Sequence, residues 1–151
     1  MTVLFETRAG VATITLNRPE SRNALNLAMC KELLAAAQAA AADSSVKLVL
    51  VKANGPAFCA GADLNWMKRM AGYGYDENLA DAQALAGMLA ALERLPKPTI
   101  ARVHGPVFAG GTGLVAACDI AVGTPEAKFC LSEAKLGLSP ATISPYVIRA
   151  M

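Results

Sequence analysis

The sequence has 151 residues, enough for one domain with a sizeable core. Hydrophobic residues make up 54% and charged residues 17%, which excludes a disordered chain. The net charge of +2 comes from scattered cations and gives no footprint for nucleic acid, and no apolar run reaches the ~20 residues that cross a bilayer.

The segments "VLFETR" and "VATITLNR" flank Ala9-Gly10 and predict a hairpin. A polar turn, "NRPESRNALN", follows around Pro19. Good helix formers over Leu27–Ala42 predict a helix. The apolar run "VKLVLV", residues 46–51, suits a strand buried on both faces. "ANGPAFCAGADL" reads as a Gly/Pro loop leading to a short helix near residues 63–70. "GYGYDENLADAQALAGMLAALERL" opens as a loop and becomes a long helix that stops before Pro96 and Pro98. Thr99–Val103 is the next buried strand. "HGPVFAGGTG" then reads as a loop, "LVAACD" as a helix, "IAVGT" and "KFCLS" as strands, and "EAKLGLSP" as a turn.

A last helix starts with Ser144 as its N-cap and Pro145 at its first position. It stops after about two turns with apolar residues still coming, so the chain is expected to be the N-terminal portion of a longer one. Strands alternating with helices predict α/β architecture in one domain, residues 1–151. The N-terminus lacks the basic and apolar pattern of a signal peptide, so a cytoplasmic location is expected. Cys30, Cys59, Cys118 and Cys130 form no C-x-x-C pair, and the chain has one histidine. They read as buried, reduced thiols, with neither a metal site nor a disulfide framework.

Two stretches share one layout: "FCAGADL" and "FAGGTGL". Each follows a buried strand and places glycine just before a segment that turns helical. Helix N-termini expose unpaired N–H groups and a partial positive charge. Two such loops brought together can aim two main-chain donors at one oxygen, which is an oxyanion hole. Either loop alone also reads as a tight strand-to-helix turn. Residues 111–116, "GTGLVA", match the dinucleotide fingerprint G-x-G-x-x-[G/A], but the helix after them is too short for a standard βαβ unit. No acid closes the next strand, where a ribose would be held.

Taken together, "NRPESRNALN", "GPAFCAGADL", "KPTIARVHGPVFAGGTGLVAACDIAV" and "AKFCLSEAKLGLSP" resemble the enoyl-CoA hydratase/isomerase (crotonase) superfamily, in its order and at its spacing. "ADLNWMKRM", "NLADAQ" and "CLSEAKLGLSPATISPYVIRAM" are further similar to its bacterial methylglutaconyl-CoA hydratase type. The resemblance implies a spiral of ββα turns whose C-terminal helical part is absent from this chain. It also implies trimers or paired trimers, and acyl-CoA thioesters as substrates. Coenzyme A then belongs to the substrate, and no separate cofactor, metal, nucleic acid or membrane is involved. The thioester oxygen would sit between the N–H groups of Ala62 and Gly110. Arg22, Ala24, Ala60, Asp63 and Leu64 match positions that line the coenzyme A nucleotide and pantetheine. Trp66 and Met67 are candidate walls of the acyl pocket, and Gly111 and Gly113 join the substrate-binding set.

Typical two-acid hydratases of this family carry one glutamate shortly after the glycine pair and another after the following strand. The second matches Glu133. The first falls on Gly113, a departure that leaves Glu133 as the expected acid/base. A carboxylate partly desolvated at such a strand end suits proton exchange near working pH. Ser139 and Thr142 downstream could contact substrate or water. His104 and Asp119 are expected to be structural. The implied reaction is addition of water to a branched, carboxylated 2-enoyl-CoA. An isomerase or decarboxylase of the same superfamily, or acyl-CoA binding without catalysis, are the alternatives.

Overall fold

The computed structural model describes residues 1–151. Strands β1 (Val3–Arg8) and β2 (Val11–Leu16) pair antiparallel as the expected hairpin. Ala9 and Gly10 hold φ of 50° and 81°, the left-handed pair that lets a two-residue turn follow the strand twist. Helix α1 (Leu27–Ala42) starts where the side chain of Asn26 accepts the Met29 N–H at 2.9 Å. Then come β3 (Leu48–Ala53), α2 (Leu64–Met70), α3 (Tyr75–Glu93), β4 (Thr99–Val103) and β5 (Pro106–Phe108). The chain continues with α4 (Gly110–Ala116), β6 (Ile120–Gly123), β7 (Lys128–Cys130) and α5 (Ser144–Ala150).

The large sheet runs β1-β2-β3-β4-β6, parallel from β2 onward, and β5 pairs with β7 in a second, two-stranded sheet. A single bridge from Cys59 to Val107 extends the small sheet back by one turn. Each ascent of the chain therefore gives one segment to each sheet before a helix returns it. That is the ββα spiral expected from the resemblance. The core lies where Ile14, Val49 and Val51 of the sheet meet Met29 and Leu33 of α1 and Met88, Leu89 and Leu92 of α3.

Four local readings change. β3 begins at Leu48, because Val46 still closes the turn after α1 by donating to the Asp43 carbonyl. It buries Val49, Val51 and Ala53 on one face while the other face stays half-buried. The "HGPVFAGGTG" segment contains a strand, β5, whose partner lies about twenty residues downstream (Pro106 pairs with Lys128). Helix α4 begins at Gly110 itself rather than after the glycines, because the Ala109 carbonyl accepts the N–H groups of Thr112 and Gly113. Ile143, not Ser144, takes the N-cap position of α5, and Ser144 Oγ donates to the Ala141 carbonyl instead.

All four thiols are free, and Cys30, Cys59 and Cys118 are buried. Burial pushes Cys59 up to about 11 and Cys30 and Cys118 up to about 12. His104 Nε2 lies 2.8 Å from the Gly55 carbonyl, and Asp119 Oδ2 accepts both the N–H and the hydroxyl of Thr99 at 2.8 Å, joining the starts of β4 and β6. No helix is long and apolar enough to cross a membrane.

Candidate active site

The two glycine-containing turns touch. A Cβ on Gly61, whose φ is +97°, would stand 3.0 Å from the Ala109 Cβ and 3.3 Å from the Phe108 carbonyl oxygen. Only glycine permits both that backbone conformation and that approach. In the first turn, Ala60 N–H donates to the Arg22 carbonyl, Leu25 N–H to the Gly61 carbonyl, and Asp63 N–H to the Leu25 carbonyl. Between these anchored groups the Ala62 N–H has no backbone acceptor. In the second turn, Ala109 sits at φ 48° and ψ −119°, a strained place for a residue with a Cβ. The strain swings the chain from β5 into α4, so that Gly110 opens the helix and its N–H also has no backbone acceptor. Ala62 and Gly110 border one cavity of about 380 Å³.

Polar side chains fix the first turn. Arg18 donates from Nη1 to the Ala24 carbonyl at 2.6 Å and from Nη2 to Asp63 Oδ2 at 2.9 Å. Asn23 is fully buried in a left-handed conformation; its Nδ2 donates to the carbonyls of Asn54 and Ala57 while its Oδ1 accepts the Arg18 N–H. Asp63 Oδ1 caps α2 by accepting the N–H groups of Asn65 and Trp66. Burial pushes the Asp63 carboxyl up, but the Arg18 hydrogen bond and the capping N–H groups outweigh it and hold the group below its ordinary value.

Glu133 borders the same cavity from the other side, in a 3-10 turn over Ser132–Leu136 that follows β7. Its Oε2 is buried and has no hydrogen-bond partner in the protein. A buried carboxylate oxygen left unpaired is costly, and such groups are uncommon enough to need a reason. The Ala109 N–H donates to the Cys130 carbonyl at 2.8 Å, so the second turn and the Glu133 turn hang from one small sheet.

Ala60, Ala62, Leu64, Trp66, Met67, Gly110 and Glu133 are brought together around the cavity. Ser139 and Thr142 border it too. Arg22, Ala24, Asp63, Gly111 and Gly113 do not. Arg22 is exposed beside the first turn, and Ala24 is buried with its carbonyl held by Arg18. Both oxygens of Asp63 are occupied, one by the α2 cap and the other by Arg18. Gly111 is a packing position, because a Cβ there would meet Cys59 Cβ at 2.7 Å and the Cys59 carbonyl oxygen at 2.9 Å. Gly113 is one as well: a Cβ would fall 2.3 Å from Ile143 Cγ2 and 2.7 Å from Ile143 Cβ. The space a side chain at 113 would need is filled by Ile143, which itself borders the cavity.

Sequence reasoning missed Arg18, Asn23, Lys135 and Ile143. The first two lie in the quoted polar loop, but their partners at residues 54–63 leave no local signal.

The chain matches the family model described as Enoyl-CoA hydratase/isomerase over residues 6–151. It is 39% identical over 142 residues to the enoyl-CoA hydratase AKT6-1 of Alternaria alternata, covering 94% of this chain and 46% of that protein. It is 38% identical over 130 residues to the 2,3-dehydroadipyl-CoA hydratase of Escherichia coli, covering 86% of this chain and 49% of the relative. Among solved structures, an enoyl-CoA hydratase from Shewanella pealeana superposes with a TM-score of 0.97 at 44% identity, covering 100% of this chain and 57% of that one. The chain thus spans about half the length of the relatives it matches. Its spiral of two sheets, its paired strand-to-helix turns and these matches agree, and the chain belongs to the enoyl-CoA hydratase/isomerase family.

Proposed function

We propose that the whole protein adds water to a 2-enoyl-CoA thioester. The observation that carries this reading is the pair of N–H groups at Ala62 and Gly110, both without backbone acceptors, bordering one cavity with the unpaired carboxylate of Glu133. The thioester oxygen accepts from both donors, which stabilise the enolate as charge moves onto it. Removing one such donor costs about 3 kcal/mol of transition-state stabilisation. Glu133 takes a proton from water as hydroxyl reaches Cβ and returns a proton to Cα on the same face. With Ile143 packed on Gly113, the mechanism runs on one carboxylate. A single carboxylate also suits an isomerase that shuttles one proton, and this is the second reading.

The finer proposal is a branched, carboxylated acyl group of the methylglutaconyl type. Lys135 supports it as the one cation bordering the cavity, with no carboxylate within ion-pair distance. The Escherichia coli relative is named for a dehydroadipyl thioester, whose acyl chain ends in a free carboxylate. A homotrimer or hexamer in the cytoplasm, needing no cofactor beyond the substrate's coenzyme A, completes the proposal.

Steady-state assay of Glu133→Gln in the whole protein tests the reading. A fall in kcat of about a hundredfold or more is expected for loss of a general acid/base, and unchanged enoyl-thioester consumption refutes the assignment. Oxygen-18 from solvent water should appear in the product. Its absence favours the isomerase. In the same assays Lys135→Met should raise KM for carboxylated enoyl-CoA thioesters and leave uncarboxylated ones unaffected.

A further inference from the structure

Helix α3 carries a buried carboxylate that the chemistry above does not use. Asp81 is 7% exposed, and its Oδ2 accepts the Trp66 Nε1–H at 2.5 Å. Trp66 is 3% exposed and borders the cavity from α2. The ion pairs of the structure are Arg18 with Glu20 and Asp63, and Arg149 with Glu93, so Asp81 has no cation within reach. A carboxylate buried beside one neutral donor gives up hydration that the donor restores only in part. What the contact supplies is direction. An indole has one N–H, on one edge, and a hydrogen bond to it fixes the plane of the ring.

That plane matters because of where α2 lies. The helix has seven residues, too few to be stable alone, so tertiary contacts hold it. Asp63 ties its N-terminus to Arg18, and Asp81 ties its middle to α3. Leu64, Trp66 and Met67 of this helix form one wall of the cavity, and the helix starts directly after the Ala62 donor.

We propose that Asp81 is a positioning residue that pins the Trp66 indole, so that α2 presents a fixed wall to the acyl group beside the Ala62 N–H. The kinetic part of this inference rests on the enoyl-CoA reading. The pin itself does not.

The test uses the whole protein, labelled with 15N-tryptophan. The indole resonance that vanishes in Trp66→Phe is assigned to Trp66. It should lie downfield and exchange slowly with solvent. In Asp81→Leu it should move upfield and exchange faster, and Asp81→Asn, which keeps an acceptor oxygen, should hold it near its original place. With an enoyl-CoA substrate, Asp81→Leu should raise KM about tenfold, the scale of one lost hydrogen bond to a charged group, with kcat nearly unchanged. Asp81→Asn should recover most of that loss. Trp66→Phe should raise KM by a similar factor, and the double variant should be no worse than either single one. Additive effects, or an indole resonance that ignores Asp81→Leu, overturn the proposal. Equal losses of kcat in Asp81→Asn and Asp81→Leu overturn it too, because they would make the charge itself the active element. Should Asp81→Leu fail to fold, Asp81→Asn and Trp66→Phe carry the same comparison. A wild type that consumes no enoyl-CoA defeats the functional reading and leaves the indole resonance to decide the pin.

Discussion

At position 113 the absence of one methyl group shapes the floor of the site. A Cβ there would overlap Ile143 Cγ2 at 2.3 Å, and both residues are buried, so neither can move away freely. Gly113→Ala is therefore expected to lower stability by roughly 1–3 kcal/mol, the usual cost of overpacking a tight core. Adding Ile143→Ala should cost less than the sum of the two changes, because it removes the atom that clashes. Urea midpoints of the two single variants and the double variant measure this, and strict additivity would contradict the packing account. The sequence shows Gly113 as a departure from the two-acid pattern. It does not show the cause, which lies thirty residues downstream in a residue that no local pattern singles out. Asp63 is a similar case. Its loop is legible as part of the site, but its two oxygens face partners at Arg18 and at the start of α2, and only the folded chain assigns them.

Among the elements, α2 depends most on its ends. Replacing Asp63 by Ala removes a helix cap and the Arg18 ion pair together, and is expected to cost about 1–2 kcal/mol at neutral pH. The pH dependence follows from the direction of the shift. Hydrogen bonds and the guanidinium hold Asp63 below its ordinary value despite burial. Its stabilising contribution is therefore complete above the unfolded carboxyl's value, and it is lost as pH falls through the lower folded value. Glu32 adds to the same slope: burial raises it, but the N–H groups of Val3 and Thr2, each 2.8 Å from its Oε2, bring it below normal. Below about pH 4 the wild type should lose stability more steeply than Asp63→Ala. Equal slopes in urea titrations at neutral and acid pH would remove Asp63 from this account. Elements whose signals are local were legible. Helix α1 was, with its run of good formers over Leu27–Ala42. Strand β5 was not, because three residues read as a loop until β7 arrives to pair with them.

For the whole molecule, the thiols report on the integrity of the core. Three of the four are buried and pushed well above their ordinary value by that burial, and only Cys130 is half-buried. In a solution of residues 1–151, a disulfide reagent should react quickly with one thiol in the native state. The other three should appear together at the denaturant midpoint, since the thiolate is the reactive form and solvent must reach it. Two fast thiols in native protein would mean that the core opens locally. Apart from β5, the order of strands and helices could be read from local patterns, but the spiral they build could not. That expectation came from resemblance, because nothing local tells β4 to skip β5 and pair with β6. The small sheet holds a further consequence. Its strands have three residues each, and the Ala109 N–H closes it on the Cys130 carbonyl. The Gly110 N–H follows one strand and Glu133 follows the other, so the span between them is a matter of strand register. A slip of one residue would shift Glu133 by ~3.3 Å and turn the side chains of its strand to the opposite face. This three-rung ladder acts as the ruler of the site. Lengthening or shortening residues 124–127, the turn that leads into β7, would reset that ruler without changing a single residue that borders the cavity.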